Sequence, residues 1–254
     1  MLFKKIRKQL IEKDKLKNYI FYAIGEIVLV VISILIALTV NNKNETQKRT
    51  ALAKEFITEI RYDIVMDTAV FGQAIRQIDT IAKYKLKWLK NHRLDTLSIY
   101  ELEAMTLSQY FNIKMNTGAY NRMKESNIWT LQEYQKLYEQ ISDYYNFNKT
   151  YLDNFNQWEA ISHEKEADFW NNQNVFELQF YTGDSIPVFQ NATERKAQLV
   201  NILNSPKGRN YLKTGFFRNK TMRGIYQQTS NAGASLLKEI DSHIEHKPSK
   251  DKSS

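Results

Sequence analysis

Apolar residues follow two different patterns along this chain, and the change between them divides it. From Tyr19 to Val40 the sequence reads YIFYAIGEIVLVVISILIALTV, apolar on every face, with Glu26 its one ionisable residue. At about 1.5 Å per residue this run measures about 33 Å, enough to cross a hydrocarbon core of about 30 Å. The pattern predicts a transmembrane helix over 19–40, with Tyr19 and Tyr22 at one border. A cleaved signal peptide fits less well. The run exceeds the usual apolar length of about 7–15 residues, and Ala37-Leu38-Thr39-Val40-Asn41 offers no small-x-small cleavage site. An uncleaved signal anchor is therefore expected.

Beyond a polar linker over 41–49, apolar residues recur at helical spacing. Leu52, Phe56, Ile60, Ile64, Phe71, Ile75, Ile78, Ala82, Leu86 and Leu89 fall mostly three and four apart and predict one long amphipathic helix. Ser98-Ile99-Tyr100-Glu101 has the S-x-x-E form in which hydroxyl and carboxylate satisfy each other's free backbone N–H groups, so a shorter helix is expected to start there. Thr130-Leu131-Gln132-Glu133 repeats the form. It opens a third long helix, with Tyr134, Leu137, Ile141, Tyr144, Tyr145, Tyr151, Leu152, Phe155, Trp158 and Ile161 as its apolar positions and an end before Asn171-Asn172. The stretch 174–190, with Gly183-Asp184 and Pro187, reads as an ordered loop that can hold a short hairpin. A helix from about Thr193 to Leu203 follows, and Ser205-Pro206 supplies an N-cap and a first-turn Pro for a last helix reaching about Ile244. The expected fold is all-α: one N-terminal transmembrane helix, then an antiparallel bundle of long amphipathic helices over 50–246 and a solvated tail over 247–254.

Composition supports this reading, since 8 Gly and 3 Pro in 254 residues leave few helix breakers. The absence of Cys removes disulfides, thiolate metal sites and cysteine nucleophiles. A formal charge of +8 points to an acidic partner only if it is spread over the chain. It is not: Lys4, Lys5, Arg7, Lys8, Lys13, Lys15 and Lys17 crowd the lead over 1–18, the tail holds Lys247, Lys250 and Lys252, and the region between is near balance. No nucleic-acid partner is expected. The basic lead outweighs Lys43, Lys48, Arg49 and Lys54 after the span, which are diluted by Glu45 and Glu55, so the N-terminus should be cytoplasmic. Lys4, Lys5, Arg7 and Lys8 are the candidate lipid-headgroup contacts. With Leu2, Phe3, Ile6 and Leu10 opposite them they suit a short interfacial helix, and equally a disordered topology signal.

Catalytic signatures are sparse. His163-Glu164-Lys165-Glu166 resembles part of a metalloprotease string, but Ala167 stands where the second His is needed, and an exposed charged turn is the expectation. His243 and His246 lie near Glu239 and Glu245 at a fraying helix end, which suits a solvated surface better than a metal site. There is no phosphate loop and no nucleophile elbow. No metal and no cofactor are expected. Glu26 stands apart, about 5 Å from the midpoint of the span. Its charge in lipid would cost several kcal/mol, which calls for protonation or a partner helix, with Gly25, Glu26 and Ser33 as the intramembrane contact residues.

The segment Tyr22-Ala23-Ile24-Gly25-Glu26-Ile27-Val28-Leu29-Val30-Val31, followed by Ile34-Leu35-Ile36-Ala37-Leu38 and Asn41-Asn42, resembles an uncharacterised family of single-span membrane proteins of Bacteroidetes-type Gram-negative bacteria. The stretch from Thr117 to Ser126 is similar to that family's mid-chain segment. Ser33 stands where the family usually has Gly, and Lys43 where it usually has Trp. The resemblance implies an inner-membrane protein with a helical periplasmic domain, and no activity. The expected function is a non-enzymatic, membrane-anchored module that assembles with itself or another inner-membrane protein. The alternatives are a subunit of an ion-coupled complex using Glu26, and a periplasmic hydrolase.

Overall fold

The computed structural model describes residues 16–91, 93–126, 128–177, 179 and 186–245, all helix or irregular chain. Lys4, Lys5, Arg7 and Lys8, and the tail over 247–254, lie outside the described residues. The chain divides into two compact units, Met1–Glu55 and Phe56–Ser254.

In the first unit the apolar run is helical, as its pattern predicts. It belongs to α1 (Leu16–Lys90), which continues without interruption through the polar stretch 41–49, where a linker was expected. That stretch has no Gly or Pro, and its Asn, Lys, Glu, Gln and Thr residues only weaken a helix by tenths of a kcal/mol each. Thr46 bonds back to the Asn42 carbonyl at 2.9 Å and spares a competing turn. The apolar window has a mean hydropathy of 2.7, and none of it is buried.

In the second unit one face of α1 enters a core. Phe56, Ile60, Ile64, Phe71, Ile75 and Ile78 are buried as their spacing predicts, whereas Leu86 stays exposed. The Ser98 capping box forms and starts α2 (Ile99–Thr106). An irregular segment leads to α3 (Gly118–Glu125), a helix too short to show a clear period in the sequence. The third long helix begins at Gln135, after two 3-10 turns, instead of at Thr130. It comprises α4 (Gln135–Asp143), a π-helical turn (Tyr144–Lys149) and α5 (Thr150–Asn171). The wide turn places Tyr144, Tyr145 and Asn148 all inside, and the Asn148 amide donates to the Tyr144 carbonyl at 2.9 Å.

The loop after α5 has no strand among its described residues. It is closed by side chains: the Phe189 N–H donates to Glu177 at 2.7 Å and the Gln190 amide to the Val175 carbonyl at 3.0 Å. Asn191 caps α6 (Ala192–Asn204). Ser205 then accepts from the Gly208 N–H at 3.0 Å and starts α7 (Pro206–Glu245), as the Ser-Pro pair predicts. Gly208 is required there, because a Cβ would lie 2.0 Å from the Ile202 carbonyl oxygen. α7 packs on α5 and α6. A second apolar cluster joins Trp88, Leu102, Trp170, Leu199, Leu203 and Leu212 at the α6 end of the unit.

Candidate functional site

Between α2 and α3 the chain is irregular over 107–117, and buried backbone there must find partners outside any helix or sheet. Side chains supply them. The Thr106 carbonyl accepts from the Tyr211 hydroxyl, the Gln109 carbonyl from Arg218 Nη1 at 2.8 Å, and the Ile113 carbonyl from the Asn156 amide at 2.7 Å. The Phe111 N–H serves the Glu159 carboxylate. The Asn116 N–H and side-chain amide both donate to Asp67, at 3.0 and 2.5 Å, and the Ala119 N–H at the start of α3 reaches Asp63. Asp63 and Asp67 are one turn apart on α1 and Asn156 and Glu159 one turn apart on α5, so two helix faces clamp this strap. Asn112 within it has a positive φ of 43°, which Asn tolerates better than most residues.

The largest fully buried side chain among the described residues is Arg218, with all five N–H donors engaged. Nε and Nη2 form a two-point bridge to Glu166 at 2.9 and 3.0 Å, Nη1 reaches Glu159 at 3.0 Å and the Gln109 carbonyl, and Nη2 also donates to Ser108 Oγ at 3.0 Å. Such a fork suits a guanidinium and not an ammonium. Burial works against the Glu166 anion, but the Arg218 hydrogen bonds and charge, with Ser108 and Lys85, hold its carboxyl below the usual range. For Glu159 burial wins over Arg218 and pushes it up to about 7. Burial likewise brings Lys85 down to about 8 and, against the Asn116 bonds, lifts Asp67 to about 6.

Ser108 fixes the proton positions around it. Glu166 is ionised and can only accept, so the single Ser108 proton goes to Glu166. Arg218 donates to the oxygen, and the remaining contact, His163 Nδ1 at 2.7 Å, must then be an N–H donor. Burial and the Arg218 charge lower the His163 pKa and favour the neutral ring. Tyr110 of the strap stacks on that ring at 5.7 Å. The arrangement positions a loop. It does not activate Ser108, since a nucleophilic serine needs its proton on a neutral imidazole, with the acid behind the ring.

The string 163–166 is thus corrected: Glu164 and Lys165 are exposed, but Glu166 is buried and His163 half-buried. His243 rests against the Tyr134 ring at 5.1 Å, and His246 lies outside the described residues. No group of three or more His, Asp or Glu among the described residues is placed to hold a metal. In the first unit Glu26 is exposed on α1, a Cβ at Gly25 would meet nothing within 4 Å, and the Ser33 hydroxyl donates to the Leu29 carbonyl at 2.8 Å.

Residues 26–131 match a family described as a family of unknown function (DUF6090). The match takes in most of the apolar run, the Asp63 and Asp67 side of the clamp, Lys85 and the whole strap, whereas Asn156, Glu159, Glu166 and Arg218 fall beyond it. No curated protein and no solved structure matches the chain.

Proposed function

We propose that this protein is a non-enzymatic, single-pass module of a bacterial inner membrane. In this reading the N-terminus is cytoplasmic, residues 19–40 cross the bilayer, and an antiparallel helical bundle in the periplasm offers its surface to a partner. The observation that carries it is the apolar run itself. Ile27, Leu29 and Val40 are 63%, 67% and 63% exposed, and a helix apolar all round needs a nonpolar surrounding that this chain does not provide. The buried ionic cluster supports the same reading, since all five Arg218 donors are engaged by Glu159, Glu166, Ser108 and the strap carbonyl of Gln109.

A reporter fused after residue 254 should be active on the periplasmic side, and neutral residues at Lys4, Lys5, Arg7 and Lys8 should scramble that topology, because basic flanks resist translocation. A cytoplasmic signal from the unaltered chain would overturn the orientation. The second reading, an ion-coupled subunit, is favoured by Glu26 alone. Glu26→Gln keeps hydrogen bonding but cannot carry a proton, so assembly that survives Gln together with lost activity would establish it.

A further inference from the structure

On α1 at about 100° per residue, Tyr22, Val30, Ser33, Ala37 and Val40 all lie within about 40° of Glu26. From Glu26 onward their spacing alternates four and three, the repeat of a helix-packing seam. This stripe gathers Glu26 and Ser33, the polar side chains between residues 23 and 38, whereas the opposite face carries Val28, Val31 and Leu35. Gly25 sits about 100° round from Glu26 and off the stripe, with open space at its Cα. The Ser33 hydroxyl is satisfied within its own helix, so between residues 23 and 38 the stripe presents Val30, Ser33 and Ala37 beside the Glu26 carboxyl.

We propose that the occupant of this stripe is the same stripe of a second, parallel copy, with the two Glu26 carboxyls hydrogen-bonded to each other. The inference rests on the membrane-spanning reading above. Copies inserted with the same topology place Glu26 at one depth, where a protonated carboxyl donates to its counterpart and neither meets lipid alone. Ser33 and Ala37 then face their own copies, and small residues let two backbones approach closely. A cationic partner is the less economical occupant, because the span has no Lys, Arg or His and the seam is already self-complementary.

The chain has no cysteine, so single substitutions in the full-length protein in native membranes report contacts without background. Ser33→Cys and Ala37→Cys should form disulfide-linked dimers several-fold more readily than Val28→Cys and Leu35→Cys. In the Ser33→Cys background, Glu26→Gln should keep the dimer and Glu26→Leu should weaken association by about fivefold, the scale of one interhelical hydrogen bond. Equal crosslinking on both faces, or none in protein that resists alkaline extraction, overturns the inference and leaves the anchor intact. Protein released by alkaline carbonate overturns the membrane reading itself.

Discussion

The sharpest consequences at the scale of single residues concern Arg218, because it compensates two buried carboxyls and carries part of the strap. Arg218→Leu removes the two-point bridge from the buried Glu166 anion, leaving it the Ser108 hydroxyl and the nearby Lys85 charge, and should destabilise the protein by about 3 kcal/mol in urea unfolding. Glu159→Gln is the contrasting case. Glu159 titrates at about 7, so an amide that still accepts from Arg218 should change stability by less than about 1 kcal/mol at neutral pH. Comparable losses for both would show that Glu159 is ionised at neutral pH and that Arg218 serves two anions. Gly215 belongs to the same group: a Cβ there would lie 2.7 Å from Lys85 Nζ, with Glu166 close behind. Gly215→Ala therefore displaces a buried ammonium and should cost about 1–3 kcal/mol despite the better helix propensity of Ala.

At the scale of elements, the strap is the feature to test. Asp67→Ala removes the acceptor of both Asn116 donors and leaves a backbone N–H without a partner. Amide exchange over 107–117 should then quicken while α5 and α7 keep their protection, and uniform exchange would mean the strap is not separately held. The long helices, the Ser98 box and the Ser205-Pro206 start were legible because each is a local signal. The clamp was not legible, for a physical reason. On α5 the inward row is Leu152, Asn156, Glu159, His163, Glu166 and Trp170, four of them polar because irregular backbone lies against them. An apolar count selects the neighbouring row instead, Tyr151, Phe155, Trp158 and Ile161, which is half-buried or exposed and stacks along the outside of the helix. The signal that would have found the true face is a polar heptad bracketed by Leu and Trp, a pattern that makes sense only once the strap is known. The stretch 41–49 is helical for a different reason: polarity alone does not break a helix, and no Gly or Pro stands there to interrupt it.

For the molecule as a whole, the buried groups set a distinctive dependence of stability on pH. Asp67 rises from 3.8 to about 6 and Glu159 from 4.5 to about 7, so the folded protein holds protons that the unfolded chain releases. Their contribution is complete below about pH 4 and is lost as pH rises through 6 to 7, on the order of 2–3 kcal/mol for each. Lys85 acts at the other end. Its folded value of about 8 lies below 10.5, so its contribution is present at high pH and is lost as pH falls through 8. Glu166 opposes Asp67 and Glu159, because its depressed carboxyl stabilises above the usual carboxylate range and loses that contribution on acidification. Thermal melts followed by circular dichroism should therefore show Tm climbing as pH is lowered from about 7.5 to about 5, then dropping once Glu166 is protonated. Glu159→Gln should remove more than half of the climb, since its titration near 7 lies wholly within that interval and that of Asp67 near 6 only in part. A Tm that stays level or falls between pH 7.5 and 5 in the unaltered protein would mean that both carboxyls are ionised in the fold.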